Sequence, residues 1–174
     1  YDDFHRMISS ESNIDAIILC TPWDQTQNII YDVACYSIPV LVEKPISLDS
    51  VNLKNTIYKL GDLANNILVA YNRRFYDFIH LLKNEIQINK LLSVQVNCPE
   101  NAKYLLDKYF NMNNNIIKYM TSHWLDLLFY LNGKIEIDKI YKNINKKGFI
   151  YSYNGLLKFV NCNTPVHYQS NYNN

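Results

Sequence analysis

Glycine is scarce. Of 174 residues only Gly61, Gly133, Gly148 and Gly155 are glycine, and none are arranged as G-x-G-x-x-G. The chain therefore lacks the turn of unhindered backbone N–H groups that holds a phosphate at a helix start. An excess of either charge is also missing: 17 Lys and Arg face 16 Asp and Glu, for a net +1. That balance gives no electrostatic ground for nucleic acid or an anionic membrane surface as partner. No apolar run approaches the roughly 18 residues a membrane span needs, and no basic-then-apolar leader is present. The four cysteines, Cys20, Cys35, Cys98 and Cys162, contain no C-x-x-C pair. Three of them sit inside apolar patterns, and together they read as buried thiols of a reducing cytoplasm. His5, His80, His123 and His167 show no metal-ligand spacing among themselves or with the cysteines, so no metal is expected. The chain begins at Tyr1 rather than methionine, which reads as a piece of something longer.

What is present is enough apolar content, 48%, for a real core. Phe4, Met7 and Ile8 have the spacing of a short amphipathic helix. Asp15 introduces the apolar run Ala16–Cys20, which ends at Thr21-Pro22-Trp23. Asp24, with Gln27 three residues on, reads as the N-cap of a helix bearing Ile29, Ile30, Val33 and Ala34 on one stripe. A second run, 38–42, exits into Glu43-Lys44-Pro45. A helix from Asp49 to Leu60 follows, burying Leu53, Ile57 and Leu60 and stopping at Gly61. A third run, 67–71, leads to Asn72-Arg73-Arg74-Phe75. Apolar runs without in-out alternation are the mark of parallel strands covered on both faces, and strand, helix, strand, helix, strand is the order of right-handed βαβ units. All three exits then fall on one edge of the sheet, where open α/β sheets bind ligands. Thr21, Pro22, Trp23, Glu43, Lys44, Pro45, Asn72 and Arg73 are the candidate binding residues.

The alternation changes beyond Arg74. Phe75, Phe78, Ile79, Leu82 and Ile86 predict a helix, and Leu91 to Cys98 a strand. Residues 99–117 read as irregular, with a loop at Asn111, Asn113, Asn114 and Asn115. Trp124, Leu127, Leu128 and Leu131 predict a helix capped by Thr121 or Ser122 and closed by Gly133. Segments 135–141 and 149–161 read as antiparallel strands, and 162–174 as ragged and polar. The expected fold class is α/β: the C-terminal half of a Rossmann-like doubly wound parallel sheet, residues 1–73, then part of an α+β substrate and dimerisation domain, residues 74–174.

Four stretches in this order, Asp15-Ala-Ile-Ile-Leu-Cys-Thr-Pro22, Glu43-Lys44-Pro45, Tyr71-Asn-Arg-Arg-Phe75 and Ser122-His-Trp-Leu-Asp-Leu-Leu-Phe-Tyr-Leu-Asn-Gly133, resemble the glucose-fructose oxidoreductase, inositol dehydrogenase and rhizopine-catabolism family (Gfo/Idh/MocA). The double-arginine form Asn72-Arg73-Arg74-Phe75 further resembles members that serve surface-sugar biosynthesis. The resemblance implies an NAD(P)-dependent oxidoreductase acting on a hydroxyl of a sugar, sugar nucleotide or cyclitol, assembled as a homo-oligomer through its C-terminal sheet. It implies Lys44 beside the nicotinamide and the substrate hydroxyl, with His123 helping to move the proton. Thr21, Pro22, Trp23, Glu43, Lys44, Pro45, Asn72 and Arg73 would line the cofactor. The departures are as informative. Tyr119 stands where the family has an acidic residue, Thr26 where it has a histidine, and the glycine-rich turn is lacking, so residues 1–174 alone are expected to bind dinucleotide poorly.

Each candidate has a plainer reading. Lys44 is suited to take a hydroxyl proton if burial and a cationic nicotinamide lower its pKa, or it is a strand-end lysine paired with Glu43. His123, expected in the first turn of a helix whose dipole favours the neutral ring, is otherwise a capping or interface histidine. Asp126 reads as a bond across the turn or a helix N-terminal charge. Continued strand alternation would put only one of Arg73 and Arg74 in the crevice, on a phosphate or sugar, leaving the other to an ion pair. Trp23 and the fifteen tyrosines read as core-forming rather than sugar-stacking. Two rival functions remain: a non-catalytic sugar-sensing or binding protein of the same fold, and a redox-assisted sugar lyase or glycosidase.

Overall fold

A computed structural model describes residues 1–102, 115–146 and 148–172. It divides into two compact units, Tyr1–Ala70 and Tyr71–Asn174.

The first unit follows the βαβ pattern. Helix α1 (Phe4–Ser10), capped by the Asp3 carboxylate, precedes strand β1 (Ile17–Leu19). Then come α2 (Trp23–Ala34), β2 (Val40–Val42), α3 (Ser50–Leu60) and β3 (Ile67–Val69). The strands pair in parallel in the order β1-β2-β3, with Leu19 beside Val42 and Val42 beside Val69. Asp49 caps α3 by accepting from the Val51 and Asn52 N–H groups, and Gly61, at φ 51°, ends it. Helix α2 begins two residues earlier than expected: Pro22 takes the cap position, and Asp24 lies in the first turn. The Pro22 carbonyl accepts from the Gln25 and Thr26 N–H groups, so the helix starts without a side-chain cap.

Leu19, Ile30, Val33, Val40 and Val42 form this unit's core. Successive right-handed crossovers between neighbouring strands place α2 and α3 on the same face of the sheet. The other face carries Ile18, Leu41 and Leu68 in register, with Ile18 69% and Leu68 56% exposed. The expectation of strands buried on both faces is thus corrected: the sheet is covered on one. Ile57, expected inside, is also exposed, as are Cys20, Cys35 and Cys162. Of the four thiols only Cys98 is buried.

In the second unit Asn72–Phe75 forms a 3-10 turn, followed by α4 (Asp77–Ile88) and β4 (Val94–Pro99). Helix α5 (Ser122–Asn132) continues a π-helical turn at Ile117–Thr121. Strands β5 (Ile135–Ile144), β6 (Ile150–Phe159) and β7 (Pro165–Asn171) complete a sheet of order β4-β7-β6-β5. Strands β5, β6 and β7 are antiparallel neighbours, whereas β4 and β7 run parallel. The segment read as ragged therefore contains a regular strand. Val166, Tyr168 and Ser170 alternate inward there, a period-2 signal hidden among His, Gln and Asn. Of the expected Asn loop, Asn111, Asn113 and Asn114 lie outside the described residues, and Asn115 is helical.

Gly155 of β6 is fixed by sterics. A Cβ there would lie 2.3 Å from the Lys139 carbonyl oxygen, beside the register shift between Ile137 and Lys139. Leu128, Leu157, Phe159, Val166, Tyr168 and Cys98 form the main core of this unit.

Candidate functional site

Parallel register sets the first group of residues. The Glu43 N–H donates to the Leu19 carbonyl and the Ala70 N–H to that of Val42, so the strand exits stand in one rank. Thr21-Pro22 and Glu43-Lys44-Pro45 accordingly share the carboxyl edge of the first sheet. The exit after β1 is held by Thr26, which is fully buried. Its hydroxyl donates to the carbonyls of Thr21 at 2.9 Å and Pro22 at 3.1 Å and lies 2.8 Å from the Thr21 hydroxyl. Trp23 opens α2 half-buried. At the second exit the Lys44 N–H donates to Glu43 Oε2 at 3.0 Å, and the Lys44–Pro45 peptide is cis. Glu43 is exposed, Lys44 half-buried and Pro45 buried.

The second group lies within the second unit. Strand alternation does not continue past Tyr71, because Asn72–Phe75 is a 3-10 turn, yet one of the two arginines takes an ion pair, as expected. Arg74 closes a two-pronged ion pair on Asp126: Nε donates to Oδ2 at 2.7 Å and Nη2 to Oδ1. That hydrogen bonding raises the Arg74 pKa. Arg73 sets its guanidinium carbon over the Trp124 indole, 3.7 Å from the ring centroid, a contact worth about 0.5 to 2 kcal/mol. The Tyr71 ring meets His123 edge-on at 5.9 Å, and burial raises the phenol's pKa. Asn72 is exposed.

His123 is the second residue of α5, but that helix does not start free: a π-helical turn precedes it. Helical backbone runs unbroken from Asn115 through Asn132, which puts the histidine in the interior, where the N-terminal dipole no longer acts on it. Tyr119 falls in the π-helical turn. Asp126 is likewise no N-terminal helix charge, since its carboxylate is only 10% exposed and engaged by Arg74. An apolar cleft of about 260 Å³ opens between α4, β4 and α5, lined among others by Phe78, Leu82, Val96, Trp124 and Leu131. It offers no carboxylate, histidine or lysine, so proton chemistry does not belong there. Among the described residues no three His, Cys, Asp or Glu side chains gather as a metal site, and no helix is long and apolar enough to cross a membrane.

Sequence reasoning missed the Arg74–Asp126 pair and the Arg73–Trp124 and Tyr71–His123 contacts. No local signal joins positions fifty residues apart.

Comparison with known proteins bears on the lineage. Residues 1–71 match the model of the oxidoreductase family with an NAD-binding Rossmann fold, Gfo/Idh/MocA. Over these residues the chain is similar to this family. It is 26% identical over 130 residues to inositol 2-dehydrogenase of Rhizobium meliloti, an alignment covering 73% of this chain and 39% of that protein. The chain thus spans about two fifths of the length of this curated relative. Among solved structures, myo-inositol dehydrogenase from Corynebacterium glutamicum superposes with a TM-score of 0.79 at 19% identity, over 97% of this chain and 53% of that one. The WlbA dehydrogenase from Bordetella pertussis, in complex with NADH and UDP-GlcNAcA, gives 0.75 at 17%, over 97% and 52%. Both likenesses concern the fold.

Proposed function

We propose that the protein expressed from its full reading frame transfers hydride between NAD or NADP and a hydroxyl of a sugar, sugar nucleotide or cyclitol. The observation that carries this reading is Glu43-Lys44-Pro45 at the carboxyl edge of a parallel sheet, in a segment matching an NAD-binding oxidoreductase family. The named relatives, which include inositol dehydrogenases and an NADH complex, support a nicotinamide cofactor and a polyhydroxylated ring as substrate.

Thr21, Pro22, Trp23, Glu43 and Pro45 fit the nicotinamide end of such a cofactor: a stiff, largely uncharged edge with one half-buried lysine. None of the 174 residues supplies a glycine-rich turn for its pyrophosphate, so residues 1–174 alone are expected to hold it weakly. The cofactor supplies the hydride acceptor. Lys44 takes the hydroxyl proton as the carbon gives up hydride. His123, which meets Tyr71 within the second unit, is the second catalytic residue that the family resemblance implies. Asn72 and Arg73, expected on the cofactor, belong to the second unit with His123. The outer strand β5, with Ile137 65% and Tyr141 55% exposed, supports pairing of subunits through the C-terminal sheet. Four free thiols support a cytoplasmic setting.

The experiment is a panel of cyclitols, sugars and sugar nucleotides offered with NAD+ and NADP+. Growth of the reduced-nicotinamide absorbance on one substrate supports the reading. Binding without it favours the sensing protein or the redox-neutral lyase.

A further inference from the structure

We infer that Arg73 is a specificity-determining residue that accepts an anionic substituent, carboxylate or phosphate, of a polyhydroxylated ligand. The two neighbouring arginines occupy opposite conditions. Arg74 is saturated by the Asp126 carboxylate. Arg73 is half-buried and set over Trp124, yet among the described residues no hydrogen bond or ion pair reaches its N–H groups. A cation–π contact uses the charge of a guanidinium without a hydrogen bond to oxygen, which leaves Arg73 donors of the kind that match the two oxygens of a carboxylate or phosphate. The indole also removes the rotamer freedom that a free arginine would lose on binding, so the fork is held ready. Beside it stand Tyr71, His123 and Trp124, ring surfaces and a polar edge suited to a hydroxylated ring. A plain structural arginine would have been expected to take a carboxylate partner, as Arg74 does.

This assignment of substrate class rests on the reading of the protein as an oxidoreductase of sugar-like rings, although anion binding can be measured without turnover. The test titrates the 174-residue chain at low salt with glucuronate, glucose 6-phosphate and myo-inositol, following the Trp124 indole and Arg73 Nε–H resonances by NMR. The expected result is that at least one anion binds tenfold or more tightly than myo-inositol and shifts both resonances, with the preference declining as salt is added. The tighter of the two anions identifies carboxylate or phosphate as the source. Arg73→Gln should abolish the preference, and Arg73→Lys should restore only part of it. Anions binding no better than myo-inositol in the unmodified chain, or a preference that survives Arg73→Gln, would overturn the inference. Because the wild-type resonances carry the first comparison, a poorly folding variant leaves the test intact. Hydride transfer to neutral rings without anion preference would remove this inference alone, whereas anion binding in a protein that transfers no hydride would remove only the oxidoreductase reading.

Discussion

Arg74 and Asp126, 52 positions apart in sequence, are joined by two parallel hydrogen bonds within one unit. The pair ties the Asn72–Phe75 turn to α5, one turn of helix beyond His123. The two partners are unequally buried: the Asp126 side chain is 10% exposed and that of Arg74 33%. Removing the arginine leaves a carboxylate that water scarcely reaches, whereas removing the aspartate leaves a cation that can turn to solvent. Arg74→Ala should therefore cost about 2 to 3 kcal/mol and Asp126→Ala about 1 kcal/mol. Urea denaturation of both and of the double variant checks this, and the cycle should return a favourable coupling.

Alkaline pH should weaken the fold through Cys98. This thiol is 1% exposed, and burial, helped by Glu100, raises its pKa to about 12 from 9.0. Between those values the unfolded chain releases the proton while the folded chain keeps it, so stability falls as pH rises from about 9. The loss reaches about 1 kcal/mol by pH 10. Chemical denaturation at neutral pH and at pH 10 measures it, and Cys98→Val should flatten that part of the profile.

Thiol accessibility separates the same residue from the other three. Cys20, Cys35 and Cys162 are exposed, and the Thr164 hydroxyl at 3.0 Å lowers the Cys162 pKa. A thiol reagent should modify three cysteines of the folded chain, Cys162 fastest, and the fourth only after unfolding. Mass mapping of modified peptides distinguishes the sites.

Two glycines should respond very differently to alanine. Gly61 has φ +51° with nothing within 4 Å of an added Cβ, so Gly61→Ala meets only backbone strain, about 1 kcal/mol. At Gly155 the new methyl would collide with the Lys139 carbonyl, which neither strand can yield without breaking the ladder. Gly155→Ala should cost about 3 kcal/mol or more, and thermal melting of the two variants side by side gives the order.

Local chemistry explains which parts of this protein were legible in its sequence. The parallel sheet, the helix from Asp49 to Leu60 and the Gly61 stop were readable because apolar runs, a helical stripe and a helix-ending glycine each act within a few residues. Strand β7 was not, because its inward Val166, Tyr168 and Ser170 alternate with polar neighbours in a pattern too short to separate from a loop. The three exposed thiols were misread because an apolar neighbourhood in sequence does not say which sheet face, if either, is covered. The start of α5 next to His123 was legible, but the π-helical turn before Ser122 was not, since no local residue pattern marks it. At the candidate site, Glu43-Lys44-Pro45 and His123 were visible as residues. Their neighbours were not: which arginine takes Asp126 and which takes Trp124 depends on the 3-10 turn, where strand alternation had been expected.

The central claim is that Lys44 serves hydride transfer from a hydroxylated ring to nicotinamide. Ring-deuterated myo-inositol and the deuterated sugars of the panel, incubated with NAD+ or NADP+ and the protein expressed from its full reading frame, test it most directly. Mass spectrometry should find deuterium on the reduced nicotinamide for at least one substrate, with Lys44→Met lowering the rate by about a hundredfold or more, the scale of a lost general base. Absence of deuterium transfer across the panel, or a Lys44→Met protein as fast as the parent, would contradict the account.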